Sequence, residues 1–433
     1  MMTDPTLSRA DSSSPTSAYP GRRPMPNAGR AWTVLGLGVA AQTAGTLFVS
    51  TPAFLIPLLH AERGMSLAEA GVLAAAPTLG MVLTLIAWGW LADRIGERIV
   101  IAGGLALTAL AAGGAIAADA LIPTLGYGPL GLFLLLGGAA SASTNSASGR
   151  IVVGWFPKDR RGLAMGIRQM SQPLGVTVAA ITVPTVAASA GISAALLISF
   201  IATVVLAIAC AVGLRNPPRV VAPKPTPTET TPNPTVAAPR NPYRGDGFLW
   251  RIHAVSILLV VPQFTLTTFA LVWLVSDLRW EALAAGVLVG VSQFVGAVGR
   301  IGVGVLSDRV GSRVKPLRWV AVSAVVVMVL LAGVGFVQWP FAVAIALVVA
   351  SSVTVADNGL AFTSVAEMAG PTWAGRALGA QNTGQFIAAS IVPPAVGALI
   401  GLVGYPFAFL AVAVLPALAI PIIPSEATEH DHL

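Results

Sequence analysis

The sequence predicts an all-α membrane protein with twelve transmembrane helices in two pseudo-symmetric six-helix bundles, and three observations lead to this fold class. The 433 residues are 55% hydrophobic and only 10% charged, with a mean hydropathy of +0.80. Soluble domains carry roughly 25% charged residues, so the composition favours a bilayer environment. Twelve apolar runs provide the about 20 residues that each spanning helix needs. Finally, the phrase GWLADRIGERI at 89–99 returns as GVLSDRVGSRV at 304–314.

Six of the apolar runs precede a proline-rich segment and six follow it. The first six cover residues 32–59, 67–92, 98–118, 128–156, 162–188 and 192–214. The last six cover residues 249–276, 281–307, 316–337, 340–366, 374–401 and 404–423. Each run is predicted to form one membrane-spanning helix.

The segment between the two sets is rich in proline and polar residues. Proline interrupts helices and a polar tract cannot form a core, so this segment is predicted to be a linker. No cleavable signal peptide is expected, because the N-terminal tail has no apolar stretch. The predicted organisation is a disordered cytoplasmic tail (1–30), an N-terminal six-helix bundle (31–214), a cytoplasmic Pro-rich linker (215–247), a C-terminal six-helix bundle (248–423) and a second cytoplasmic tail (424–433).

Lysine and arginine are distributed unevenly between the two sides of the predicted helices. If the N-terminus is cytoplasmic, twenty of them fall in the N-terminal tail, the linker and the inner loops, whereas the outer loops hold two, Arg63 and Arg279. Positive residues concentrate on the cytoplasmic side of membrane proteins. We therefore expect a multi-pass protein of the plasma (inner) membrane with both termini in the cytoplasm.

The two halves share more than the opening phrase. A shift of 213 positions places Asn145 on Asn358 (358 − 145) and Gln172 on Gln385 (385 − 172). The same shift aligns RGLAMGIRQMSQ at 161–172 with AGRALGAQNTGQ at 374–385. Transporters built from internal repeats bind their solute between the repeats, near the middle of the membrane. The repeat therefore indicates a site to which corresponding spans of both halves contribute.

The repeated phrase resembles the signature between the second and third spans of the major facilitator superfamily, and the resemblance covers the chain after its N-terminal tail. It implies the twelve-helix fold of that family. It also implies a gating role for both turns, with ordinary turn structure as the alternative. Glu97 stands where the family pattern has a basic residue. The residues to which the gating role would transfer are Gly89, Asp93, Arg94, Gly96 and Arg98 in the first copy, and Gly304, Asp308, Arg309, Gly311 and Arg313 in the second.

Three arginines, Arg150, Arg168 and Arg300, fall inside predicted spans four, five and eight. An arginine at the centre of a spanning helix costs about 2.5–3.5 kcal/mol on insertion scales, so three of them need a reason. Their planar donor forks suit carboxylate, nitrate-like or phosphate oxygens. We predict that they form an electropositive zone in a water-filled cavity. The alternative for each is a structural group whose side chain reaches the inner surface.

Two local patterns resemble anion-handling members of the same superfamily. SGRIVVGWFPKDRRG resembles the fourth span of organophosphate:phosphate antiporters, with Arg150 in the place of their arginine. GRIGVGVLSD resembles the eighth span of oxalate:formate antiporters and monocarboxylate transporters, whose arginine binds the substrate carboxylate, and Arg300 takes that place. In its motifs the chain is therefore closest to organic-anion members, including cyanate permease-like ones.

Uncharged polar residues complete the predicted substrate site. Asp357 is the carboxylate placed near mid-membrane, and we expect it to pair with an arginine or to take up a proton, a structural helix contact being the alternative. His253 lies at a span end and receives no role. The polar candidates are Asn145, Gln169, Gln172, Asn358, Gln381, Asn382 and Gln385, with Gln42, Gln263 and Gln293 as weaker ones.

Other chemistries are not indicated by the sequence. Cys210 is the single cysteine, so no disulfide can form within the chain. No metal-ligand spacing, nucleophile triad or nucleotide-binding loop is present. The basic residues lie in short segments between apolar runs, which is not typical of a nucleic-acid interface. We expect no enzyme activity, no cofactor, no metal and no nucleic-acid partner.

The sequence therefore predicts a secondary active transporter that moves a small organic or inorganic, carboxylate-like anion by alternating access, with proton coupling or by exchange. The expected partners are the anionic solute, protons as candidate coupling ions and the lipid bilayer, and the protein is expected to be a monomer. A proton-coupled efflux pump for drugs or metabolites is the alternative within transport. A non-transporting membrane receptor on the same fold is the alternative from another class.

Overall fold

The computed structural model of the chain describes residues 28–121, 125–156, 164, 167–216, 241–244 and 247–425. Most of the two predicted tails and of the linker therefore lies outside the described residues. The described part is built from helices, which we number in chain order. They are α1 (Ala28–Ala61), α2 (Leu67–Ile95), α3 (Glu97–Asp119), α4 (Gly128–Trp155), α5 (Ser171–Gly213), α6 (Phe248–Val272), α7 (Ala282–Val310), α8 (Val314–Val337), α9 (Pro340–Thr354) and α10 (Asp357–Ala419). A short turn of 3₁₀ helix (Pro242–Arg244) precedes α6, and a π-helical turn (Trp273–Asp277) extends it.

The long helices contain more than one crossing each. α5 has 43 residues and holds Gly191 at φ 83°, which separates two helical segments. α10 has 63 residues, about 95 Å of helix at 1.5 Å per residue, whereas a bilayer core is about 30 Å thick. Gly404 at φ 78° marks the turn before its final segment. Both helices therefore combine spans that the sequence predicted as separate.

The described helices accommodate the twelve predicted spans. Nine segments of the described residues are long and apolar enough to cross a membrane. Two of them, Ile167–Gly213 and Arg376–Ala419, each hold two predicted spans, and the 28-residue α4 is a further long helix. One crossing, Pro340–Ala369, is discontinuous, because α9 ends at Thr354 and α10 begins at Asp357.

Local sequence explains where several helices begin and end. Ser66 and Glu69 form a capping box at the start of α2, since each side chain bonds to the other residue's backbone amide. Glu281 caps α7 by accepting hydrogen bonds from the amides of Leu283 and Ala284. Gly96 at φ 90° and Gly311 at φ 69° end α2 and α7. The two repeated phrases thus close equivalent turns.

Glycines allow the helices of the N-terminal half to pack closely. α2 and α3 both pack on α4, and α1 packs on α5. A Cβ atom on Gly80 would overlap the carbonyl oxygen of Leu135, and one on Gly138 would overlap that of Pro77. Small residues let membrane helices approach to backbone contact. Gly80 and Gly138 therefore let the backbones of α2 and α4 come into direct contact.

Two further glycines join the halves at the ends opposite the repeated turns. α2 packs on α10, and α5 packs on α7. A Cβ atom on Gly71 would overlap the carbonyl oxygen of Pro393, and one on Gly286 would overlap that of Ala180. Gly286 lies 215 positions after Gly71 (286 − 71), and Pro393 lies 213 after Ala180 (393 − 180). The two contacts are therefore equivalent positions of the repeat.

Candidate functional site

In the N-terminal half, Arg168 links the segment before α5 to α4. Its Nε donates to Ser148 Oγ at 2.9 Å, and its Nη2 donates to the backbone oxygen of Asn145 at 3.1 Å. Its Nη1 donates to Gln169 Oε1 at 3.2 Å. Ser148 Oγ in turn donates to Gln42 Oε1 on α1 at 2.9 Å. The guanidinium of Arg168 is thus held by neutral acceptors on α4 and by the neighbouring Gln169.

The other predicted residues of this half are less engaged. Gln169 is exposed and Gln172 is half-buried. Among the described residues no hydrogen bond joins Gln172 to a neighbour. Arg150 belongs to α4, but its side chain lies outside the described residues. The structure therefore brings together Arg168, Asn145 and Gln169 of the predicted set.

In the C-terminal half, an amide cluster joins α6 to two parts of α10. Asn358 Nδ2 donates to Gln263 Oε1 at 2.8 Å. Gln385 Nε2 lies 2.8 Å from both Asn358 Oδ1 and Ser256 Oγ. Asn358 and Gln385 are the positions that the repeat shift places on Asn145 and Gln172. Ser256 was missed, because nothing in the sequence distinguishes it from serines that bond to their own helix.

The discontinuous span places a charged pair beside this cluster. Val355 and Ala356 separate α9 from α10, and Arg300 Nε of α7 donates to the carbonyl oxygen of Val355 at 3.1 Å. No hydrogen bond from the two Nη groups of Arg300 is present within the described residues. The first residue of α10 is Asp357, whose side chain is 1% exposed. Arg300 therefore has free donors, and its charge acts on a buried carboxylate with which it forms no direct hydrogen bond in the described residues.

The carboxylate of Asp357 has few interaction partners. In the described part of the chain, no side-chain donor meets either carboxylate oxygen. The groups that act on its charge are the guanidinium of Arg300 and the backbone amides of Asp357 and Asn358 at the start of the helix. Broken helices with exposed backbone are the usual construction of ion and substrate sites in transporters. The break thus combines a cation, a carboxylate and a helix N-terminus in one place.

His253 is a neighbour of the site that sequence reasoning missed. Its Nδ1 bonds to Gln381 Oε1, and its Nε2 lies 3.0 Å from the hydroxyl of Tyr243 in the 3₁₀ turn. Partial burial raises the pKa of the Tyr243 phenol, so the hydroxyl stays neutral. Gln381 is 2% exposed, and its Nε2 has no partner within the described residues. The signal available was the repeat, which places Gln381 at the position of Arg168 (381 − 168 = 213).

The remaining predicted binding residue, Asn382, is half-buried beside Gln381. Among the described residues no hydrogen bond joins it to a partner. The weaker candidates Gln42 and Gln263 are both bonded within the clusters described above. The polar groups therefore form one cluster in each half.

The repeated turns are held by their second arginines. Arg98 Nε donates to the carbonyl oxygen of Ala211 at 2.8 Å, and Arg313 Nη2 lies 3.1 Å from Glu367 Oε1 of α10. Both contacts stay within one half. The side chains of Asp93 and Asp308 lie outside the described residues. The gating role predicted for the full set of turn residues stays a prediction.

Long apolar helices with polar clusters in their interior and a broken span define an integral membrane protein of the transporter class. The family model of the Major Facilitator Superfamily matches residues 37–393. The chain belongs to this family, and the predicted twelve-helix fold is confirmed.

Two relatives are similar to the chain in sequence, one over most of its length and one over about a third of it. The chain is 43% identical over 396 residues to the uncharacterized MFS-type transporter Rv2994 of Mycobacterium tuberculosis (strain ATCC 25618 / H37Rv), which covers 92% of this chain and 85% of that protein. A probable chloroplastic anion transporter 3 of Oryza sativa subsp. japonica is 32% identical over 163 residues, 37% of this chain and 29% of that protein.

Solved structures share the fold at low identity. The inward-facing, occupied structure of a bacterial homolog to the human lysosomal transporter Spinster has a TM-score of 0.70 at 13% identity, over 95% of this chain and 98% of that one. The D-xylose-proton symporter has a TM-score of 0.71 at 14% identity, over 92% of this chain and 98% of that one.

Proposed function

We propose that the protein carries a small carboxylate-like anion across the membrane by alternating access, with protons as the coupling ion. The proposal places the chain in the plasma membrane as a monomer, with both termini in the cytoplasm. The observation that carries it is Arg300, whose Nη groups have no partner among the described residues and whose Nε bonds to the break that precedes Asp357. A guanidinium with two free parallel donors is the group that binds a carboxylate in bidentate fashion.

Competition for Arg300 would couple the anion to the proton. A buried carboxylate is stable when it faces a cation or when it is neutral. With Asp357 ionised, its charge and that of Arg300 compensate each other. When Asp357 takes up a proton, Arg300 and the positive N-terminus of α10 are left for an incoming anion. One proton and one anion then move together, and the net charge of the site is the same before and after loading.

The N-terminal half supplies the second cation of this proposal. Arg168 is held by Ser148, Asn145 and Gln169, which fixes the position of its guanidinium in the N-terminal half. Gln172 and Asn382 have no partners among the described residues and are the neutral groups left to orient the solute. Arg150 remains a candidate on sequence grounds. A site with contributions from both halves can close around its solute when the halves move.

The experiment that tests the proposal begins with ligand discovery. The purified protein is screened by thermal shift against monocarboxylates, dicarboxylates, cyanate, nitrate and organophosphates, and hits are followed by uptake into proteoliposomes. We expect an anion to stabilise the protein and to accumulate. Arg300→Ala should abolish uptake, whereas Arg318→Ala, a cationic residue bonded to the backbone at Ile423, should leave it near the wild-type rate.

The alternatives make different predictions in the same assay. A proton-coupled exporter of drugs or metabolites retains transport of its own substrate in Arg300→Ala and shows no stabilisation by anions. A non-transporting receptor binds an anion without counterflow. Either result would contradict the proposed function.

A further inference from the structure

An apolar groove of about 610 Å³ opens on the exposed face of the N-terminal half, and no residue of the two polar clusters lines it. α2 and α3 are joined by the sharp turn at Gly96, and each packs extensively on α4 but only lightly on the other. The groove is the wedge between α2 and α3, with α4 as its floor. Its volume lies within the about 300–1,000 Å³ of ligand pockets.

The walls of the groove offer apolar surface and little else. Leu110 of α3 is 70% exposed and Trp90 of α2 is 53% exposed, and both line it. Three side chains of the lining carry a polar atom. Thr84 Oγ1 and Trp88 Nε1 each donate to the carbonyl oxygen of Ala139 at 2.7 Å, and the third is the indole of the half-exposed Trp90. Apart from the N–H of Trp90, a polar solute would find no unused side-chain hydrogen-bond partner in the described lining. The groove suits a hydrocarbon chain.

One end of the groove carries a positive charge. The Cζ atom of Arg94 lies 3.9 Å from the centre of the Trp90 ring, and Arg94 is exposed in the last turn of α2. The stacking leaves the edge of the guanidinium available for an anion. Arg94 precedes the turn between α2 and α3. The distribution of lysine and arginine predicts that this turn lies at the cytoplasmic boundary of the membrane. The groove therefore has an apolar body inside the membrane and a cation at its boundary.

We propose that this groove binds an anionic phospholipid, with an acyl chain along Trp90, Leu110 and the floor of α4 and the phosphate at Arg94. Basic residues beside crevices between membrane helices at the cytoplasmic boundary select anionic head groups. The polarity of the groove, apolar along its length and cationic at one end, matches a phospholipid from one leaflet. The lipid site is separate from the proposed anion site, and the test of one proposal does not depend on the other.

The repeat supplies a matched control for the charge. Arg309 is the counterpart of Arg94 in the second copy, but Val305 stands where the first copy has Trp90 (305 − 90 = 215). The second half thus has the cation without the aromatic ring that holds Arg94 at the groove. A lipid site that depends on this pair belongs to the first half.

Native mass spectrometry of the full-length protein tests the proposal, with phosphatidylglycerol and phosphatidylcholine of identical acyl chains as probes. We expect phosphatidylglycerol to bind several-fold more tightly. Arg94→Gln should reduce its affinity to that of phosphatidylcholine, whereas Arg309→Gln should retain the preference. Equal binding of the two lipids by the wild type, or the same loss in both variants, would overturn the assignment of the head group to Arg94.

A second pair of variants tests the groove itself. Ala87→Phe places a ring in the groove that Ala87 lines, and Ile86→Phe adds the same ring at the neighbouring position, which is 78% exposed and outside the lining. Ala87→Phe should lower the affinity for both lipids several-fold, and Ile86→Phe should not. If Ala87→Phe fails to fold, Leu110→Trp fills the groove from α3. Unchanged lipid binding in a folded groove variant would overturn the proposal.

A soluble competitor separates a lipid site from a simple phosphate site. Inorganic phosphate shares the head-group charge but has no acyl chain. Excess inorganic phosphate should leave phosphatidylglycerol bound, because most of the contact area is apolar. Displacement of the lipid by inorganic phosphate alone would show that Arg94 binds phosphate without the groove, and the lipid proposal would be wrong.

Discussion

Arg300 Nε lies 3.1 Å from the carbonyl oxygen of Val355, inside the interruption between α9 and α10. The last carbonyl groups of a helix have no partner within it, so one donor of Arg300 stabilises the break. The same side chain has two further nitrogen atoms, and its charge acts on the carboxylate of Asp357. A change in what Arg300 binds therefore acts directly on the backbone of the discontinuous span.

Asp357→Asn separates proton coupling from anion exchange. Asparagine mimics the neutral carboxylic acid, so Arg300 stays available to the anion in every state of the cycle. We expect anion counterflow at near the wild-type rate, while accumulation driven by a pH gradient falls at least about tenfold, which corresponds to roughly 1.4 kcal/mol. Both are measured in proteoliposomes. Accumulation that persists in this variant would assign coupling to another group.

The repeat and the residue types predicted part of the site. The remaining contacts depend on which faces of the helices meet, which the sequence does not specify. Asn358 and Gln385 were predicted from the shift of 213, and they bond to each other. The bond between His253 and Gln381 joins residues 128 positions apart, and the sequence does not specify which faces of α6 and α10 meet. The break at Val355 contains no glycine or proline from which it could have been predicted. Long-range packing, rather than local propensity, places these groups.

The amide cluster contributes to stability through specific pairs. Asn358→Ala leaves Gln263 Oε1 without its donor and Gln385 with Ser256 as its remaining partner, and unsatisfied buried polar groups cost about 1–3 kcal/mol. Hydrogen bonds between membrane helices average about 0.6 kcal/mol in double-mutant cycles. We expect a loss of about 1–2 kcal/mol in the free energy of unfolding in lipid or detergent, measured by chemical denaturation.

A double-mutant cycle isolates the pair. Gln263→Ala combined with Asn358→Ala should destabilise the protein less than the sum of the single variants, because both remove the same 2.8 Å bond. Thr363→Ala, on α10 with a bond only to its own helix, is the control. Additive losses at 263 and 358 would contradict the coupling.

His253 anchors the end of the linker to α6. Tyr243 bonds to its Nε2 at 3.0 Å and lies 5.1 Å, between ring centres, from Trp250. His253→Ala removes the hydrogen-bond partner of Tyr243, so the 3₁₀ turn opens more often. We expect trypsin to cleave after Arg244 several-fold faster, because cleavage tracks the open population. Cleavage is followed by mass spectrometry.

The control for this effect is a histidine in the last turn of α1. His60 bonds to the backbone oxygen of Met65 at 2.8 Å, far in sequence from the linker. His60→Ala should leave the cleavage rate after Arg244 at the wild-type value. Equal rates in the wild type and in His253→Ala would mean that Tyr243 is held by its aromatic contacts alone.

Gly71→Val tests whether glycine contacts hold the halves together at the ends opposite the repeated turns. A side chain there would overlap the carbonyl oxygen of Pro393, and overpacking of this kind costs about 1–3 kcal/mol. That penalty acts only on the conformation in which α2 and α10 touch. It should therefore shift the population towards separated ends by roughly 5- to 150-fold, and Gly286→Val should do the same through Ala180. Gly401→Val is the control, since nothing lies within 4 Å of its added Cβ.

Pulsed electron paramagnetic resonance measures this separation with spin labels at Arg63 and Arg279. Both residues are exposed, and they belong to loops of different halves. The wild type should give a short distance, Gly71→Val and Gly286→Val a longer one, and Gly401→Val the wild-type distribution. Because Gly71 and Gly286 are equivalent in the repeat, the two variants should act alike and their combination should add. A wild-type distribution in both would show that carbonyl contact at these glycines does not hold the ends closed.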